Sequence, residues 1–201
     1  MTTARKSPEN AIYQIKVTLL WSSPPIWRRL LVPSDLTLSD LHDLLQRAMG
    51  WDDSHLHEFD CRGKRYGPTD PQQGGPDRID ECKVRLNQLL VRSGAKITYT
   101  YDFGDSWEHA VVLEKCLPLD PKMTYPECTG GARAGPPEDC GGIGGFYDLL
   151  DAVRNPRHPR HEETLDWLGE DYDPEEFSIE AINQVLPRKR TRVSQSSSRG
   201  V

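Results

Sequence analysis

A chain of 201 residues can bury one sizeable core, and 36% hydrophobic residues with a mean hydropathy of −0.67 leave part of it for loops and tails. No apolar run is long enough to cross a bilayer, and MTTARKSPEN lacks the hydrophobic stretch of a secretory signal, so a cytoplasmic protein without membrane spans is expected. The net charge of −6 is uneven: residues 187–201 carry five cations and no acid, residues 1–10 sum to +1, and residues 11–186 hold −12, which argues against a duplex-binding body.

In chain order, AIYQIKVTLL (11–20) is β-branched and partly alternating, and IWRRLLVP (26–33) follows a Pro24-Pro25 break, so the two read as paired strands. Thr37 opens a helix in which Leu38, Leu41, Leu45, Ala48 and Met49 form a buried stripe with His42 on the same face; Gly50 ends it. SHLHEFDC (54–61) alternates as a strand, which would put His55, His57, Phe59 and Cys61 on one face. A Gly/Pro loop and a short helical turn at Leu86–Leu90 come next.

Residues 96–114 are read as a hairpin with a three-residue loop, Gly104-Asp105-Ser106, pairing Phe103 with Trp107 and Tyr101 with His109 so that every bulky group shares a face. Pro118 to Gly145 reads as a long irregular segment, a length that is often functional. Three helices close the chain, around Phe146–Val153, Leu165–Leu168 and Ile179–Leu186, with Ser178 as the last cap. Strands first and helices later predict an α+β fold: a mixed sheet with a packed helix, of the β-grasp or roll kind, then C-terminal helices. The expected organisation is one domain over residues 11–186, a disordered N-terminus over 1–10 and a disordered basic tail over 187–201 that makes at most weak contact with nucleic acid.

PPIWRRLLVP (24–33), TLSDLHDLLQRAMGW (37–51), HLHEF (55–59), YDFGDSWEH (101–109) and YPECTGGARAGPPEDCGG (125–142), in this order, resemble the plasmid pRiA4b ORF-3-like family from about Tyr13 to Leu186. The resemblance implies an α+β domain of uncharacterised function, with some members labelled resolvase or repressor. A serine recombinase needs a nucleophilic Ser among arginines and a basic DNA-binding unit. The acidic body has neither, and that label is rejected for this chain.

Two groups are candidate metal ligands. His55-x-His57 on a strand would point two imidazoles the same way, with His109, Cys61 or Asp105 as third ligand and zinc as the fitting ion. Against this stands the plainer reading of core histidines satisfied by neighbours, which also suits His109 beside Tyr101 and Trp107. Cys128 and Cys140 could clip the Gly/Pro segment through zinc or a disulfide, or be two independent thiols. Glu138 and Asp139 beside Cys140 raise its pKa and make it a poor nucleophile. The glycines before Phe146 offer amides to an anion, but no P-loop Lys-Ser/Thr follows.

Two function classes follow. The leading one is a non-enzymatic protein-interaction module that presents acidic and aromatic surface to a protein partner. The alternative is a metal-dependent, zinc-type enzyme, hydrolytic in kind, with Asp102, Asp105 and Trp107 in its pocket, or a plasmid- or transposon-associated accessory of DNA transactions.

Overall fold

The structure, a computed structural model, describes residues 11–69, 78–169 and 172–187. The disorder expected of residues 1–10 and of the basic tail after Pro187 concerns residues outside these.

β1 (Ile12–Leu19) and β2 (Trp27–Pro33) form the expected hairpin. α1 (Leu38–Met49) follows, then β3 (His57–Cys61), β4 (Lys64–Gly67) and β5 (Ile79–Asp80). A 3-10 turn at Glu81–Lys83 and α2 (Leu86–Leu89) lead to β6 (Lys96–Tyr101), β7 (Trp107–Leu117) and β8 (Glu127–Ala132). α3 (Gly142–Arg154), α4 (His161–Leu168) and α5 (Ile179–Val185) complete the order. The strands make one eight-stranded sheet, β5-β4-β3-β6-β7-β1-β2-β8, antiparallel except for the β4–β5 pair. This is an α+β fold with a mixed sheet, as the sequence predicts.

Period-two alternation sends Tyr13, Ile15, Val17 and Leu19 of β1 into the core together with Ile97, Tyr99, Trp107, Val111 and Leu113. The opposite face carries polar groups, among them Arg29, whose Nε lies 2.7 Å from Glu114 Oε2. α1 lays Leu38, Leu41, His42, Leu45, Ala48 and Met49 on the core. Each fully buried leucine there contributes about 2 kcal/mol relative to exposure. The helix is bounded as its sequence dictates: Thr37 Oγ1 accepts from the Asp40 amide at 3.1 Å, and Gly50, at φ 86°, donates to Gln46 O.

Three local expectations are corrected. The β6–β7 loop spans 102–106, five residues instead of three, so Tyr101 faces Trp107 and Tyr99 faces His109. Asp102 accounts for the longer turn. At φ 52° it accepts from Gly104 N through Oδ1 (2.9 Å) and from Ser106 N through its carbonyl (2.6 Å). The register moved by an even number of residues, so the aromatic rings stay on one face; only Phe103 is left outside, over Arg78. β3 begins at His57 and not at Ser54, because its ladder with β6 starts at the His57–Tyr101 pair and residues 54–56 lie outside it. The segment 118–145 is not wholly irregular, since β8 adds to the sheet edge beside β2. Its glycines serve close approach: a Cβ on Gly131 would lie 2.2 Å from the Phe177 ring and 2.8 Å from Trp27 O.

Candidate metal centre

Three segments meet at one end of the sheet: the lead-in to β3 (51–56), the β6–β7 turn (102–106) and the loop before α3 (136–141). Trp51, just past the glycine that stops α1, fastens them. Its Nε1 donates to Pro136 O at 2.8 Å, and its ring stacks 5.0 Å from Tyr101 and meets His109 edge-on at 5.3 Å. The Tyr101 hydroxyl donates to Glu138 Oε1 (3.0 Å), which also accepts the Asp52 amide (3.1 Å). Burial and the neighbouring Glu138 hold the Tyr101 phenol protonated far above its ordinary range, and burial raises the Glu138 carboxyl. Asp105 Oδ2 accepts from Gly141 N at 3.0 Å. The amide proposed for an anion is thus taken by the chain's own carboxylate. Gly142 is required there, at φ 66° and with Asp105 O 2.4 Å from where a Cβ would stand.

Within this frame His55 Nε2 lies 3.1 Å from Asp139 Oδ1 and 3.8 Å from Asp102 Oδ2. One ligand atom from each of the three residues falls within 4.8 Å of the others. His55 Nε2 is closed to solvent yet makes no hydrogen bond, so Asp139 is near enough for an ion pair but is not aligned for N–H···O. Asp102 is buried, its other oxygen already held by Gly104. One imidazole and two carboxylates from three segments suit a divalent ion of the zinc, manganese or iron kind, with coordination positions to spare.

His57 belongs elsewhere. It stacks on His42 with ring centroids 3.5 Å apart and planes 7° from parallel. Its Nε2 pairs with buried Glu81 at 2.9 Å, and His42 Nε2 pairs with Asp53 at 2.8 Å. Gln46 donates to the Tyr99 hydroxyl (2.9 Å), whose single proton then goes to His42 Nδ1 (2.8 Å), so Nε2 carries the His42 proton. Burial, then the adjacent His57, push the His42 pKa down. His42, Asp53 and His57 also offer ligand atoms within 4.8 Å of one another. The stacked rings nonetheless keep their in-plane lone pairs in separate parallel planes about a ring separation apart, and one ion cannot lie in both. This pair is a satisfied core element.

The remaining candidates are placed as follows. His109 is wholly buried in the aromatic layer, where burial lowers its pKa to about 4; it approaches neither His55 nor His57 as a ligand. Trp107 is wholly buried, part of the core and not a pocket wall. Asp102 joins His55, while Asp105 holds Gly141. Cys128 and Cys140 are both free thiols and neither belongs to a metal-type cluster among the described residues. Cys128 is buried in β8, where the sheet and Asn183, bonded to both its amide (2.7 Å) and its carbonyl (2.9 Å), order the segment without a clip. Burial, with Asp105, Asp139 and Glu138, pushes the Cys140 thiol up to about 12. Asp139 is a candidate ligand that sequence reasoning missed. It was visible in PPEDC, but only as a neighbour of the thiol.

Asp139 also edges a cleft of about 400 Å³ between α3 and α4, lined by Cys140, Asp148, Arg160, Glu163, Thr164 and Trp167. Trp167 is half exposed there. No helix among the described residues is long and apolar enough to cross a membrane.

Compared with known proteins, residues 11–181 match the family described as Plasmid pRiA4b ORF-3-like protein. The chain is 40% identical over 183 residues to Uncharacterized protein y4hQ of Sinorhizobium fredii, covering 88% of this chain and 91% of that protein. It is similar in structure to a protein of unknown function, MM3350, from Methanosarcina mazei Go1, with a TM-score of 0.78, 38% identity, and coverage of 86% of this chain and 98% of that one. HLHEF, YDFGDSWEH and the end of the 125–142 stretch, three of the motifs that carry the resemblance, are the segments that meet at His55, Asp102 and Asp139.

Proposed function

This chain belongs to the plasmid pRiA4b ORF-3-like family, and we propose that it binds a divalent cation at His55, Asp102 and Asp139 and carries out metal-dependent, hydrolytic chemistry in the cleft beside them. The observation that carries this reading is His55 Nε2, enclosed between two carboxylates and bonded to neither. A divalent ion there supplies Lewis acidity and a water that ionises near neutral pH. The chain's own groups do the rest. Trp51 and Tyr101 fix the three segments against one another, Glu138 anchors the loop of Asp139, and the cleft offers charges of both signs and the Trp167 indole to a bound molecule.

Elemental analysis and calorimetric titration with zinc and manganese test it. One ion per chain is expected for the native protein and none for His55→Ala or Asp139→Asn. A native protein that takes up neither ion sinks the cation reading. The second reading is an interaction module that receives a basic protein segment. Its support is the cleft itself, where Asp139, Asp148 and Glu163 outnumber Arg160 beside an exposed indole. That reading expects Trp167→Ala to weaken capture of a basic peptide with no metal present.

A further inference from the structure

Among the described residues two arginines are almost wholly buried, and they differ in one respect. Arg133 donates from Nε and Nη2 to the Glu175 carboxylate at 2.8–3.1 Å. Arg28, only 3% exposed, donates from Nε to Ala48 O (2.8 Å) and from Nη1 to Trp27 O (2.9 Å) and Ala132 O (3.1 Å), beneath the Phe177 ring. Among the described residues all its acceptors are backbone carbonyls and no carboxylate pairs with it, while Nη2 makes no hydrogen bond. The carbonyls that end α1 bring a partial negative charge, not a full one. A buried cation ordinarily has a full counter-charge. Burial lowers the Arg28 pKa to about 10, still well above neutrality.

Arg28 lines a cleft of about 360 Å³ between the end of α1, residues 134–135 and α5. A second guanidinium, the exposed Arg47, stands in the same lining and, among the described residues, bonds only to Val185 O, at 3.3 Å. Among the described residues Glu176 is the single acid of the lining; Met49, Phe177, Ile182 and Val185 make most of the rest apolar. We propose that this cleft binds an organic carboxylate, its apolar body against Met49, Ile182 and Val185 and its carboxylate on Arg28 Nη2 with Arg47 as second donor. The site is separate from His55, Asp102 and Asp139 and uses no metal.

The test is calorimetry and thermal melting of the full chain at pH 7 with sodium hexanoate, hexanol and inorganic phosphate. Hexanoate is expected to bind at one saturable site and raise Tm, and hexanol to do neither. Arg47→Gln, at an exposed position that leaves the fold intact, is expected to weaken hexanoate about fivefold, and Arg28→Lys to abolish it. A short peptide ending in leucine, free or amidated, separates the two sources of the group: a chain terminus binds more tightly than hexanoate and is lost on amidation, whereas a free acid leaves hexanoate the tighter. Equal binding of hexanoate and hexanol, tighter binding of phosphate, or no effect of Arg47→Gln overturns the proposal.

Discussion

His55 and His57 are neighbours but one in the chain, and each sits beside carboxylates, yet they occupy two kinds of environment. His57 is held by Glu81 on one side and stacked on His42, which is itself held by Asp53 and Tyr99. His55 is enclosed by Asp102 and Asp139 but aligned with neither. Between these two histidines, partner saturation, more than residue type, separates the one that stabilises the fold from the one available to a ligand. A metal candidate therefore has to be judged by lone-pair direction as well as by distance.

Four measurements can break or sharpen this contrast. The largest effect is expected from His57→Ala, which leaves Glu81 buried without a partner. Urea denaturation should show a loss of about 3–5 kcal/mol. A change below about 1 kcal/mol would mean that the stacked pair is not structural. Next comes acid. The His42 and His109 pKa values are lowered in the fold, so the unfolded chain binds more protons as the pH falls below the ordinary histidine value. Stability is therefore complete above about pH 6.5 and is lost progressively as the pH falls towards 4, with His109 alone accounting for ~3 kcal/mol. Denaturation midpoints across that range check this, and His109→Leu should flatten the curve.

A third and smaller effect is expected at Gly145, where a Cβ would stand 1.9 Å from Cys140 O. Gly145→Ala should cost about 1–3 kcal/mol and, by displacing the 136–141 loop, lower cation affinity as well; stability lost with affinity intact would separate that loop from the centre. The smallest stability change is expected from His55→Ala, under about 1 kcal/mol, together with complete loss of the bound ion. A large destabilisation instead would place His55 in the same class as His57.

Much of this was legible in the residues. Alternation in 11–19 and 97–113 and the 3-4 spacing of leucines in 38–49 identify the strands, the helix and the buried face, because burial acts on each side chain locally. Thr37, Gly50 and Ser178 mark helix ends because a cap acts within a few residues. The hairpin register was off because the Asp102 carboxylate and a second left-handed residue at Ser106 lengthen the turn, and turn chemistry weighed less than pairing of bulky groups. His55 does not share the face of His57 because it lies before the first paired residue of β3, outside the pleat that period-two alternation assumes.

The sequence by itself determined the fold class, the family and which surface of β3, β6 and β7 is apolar, since these depend on short-range periodicity and on motifs in order. Tertiary structure alone decided that His55 meets Asp139, 84 positions on, that Glu81 takes His57, and that Arg28 is buried against backbone carbonyls. Partners so distant in the chain are chosen by how the sheet, α1 and α3 pack, and no spacing along the chain encodes that choice.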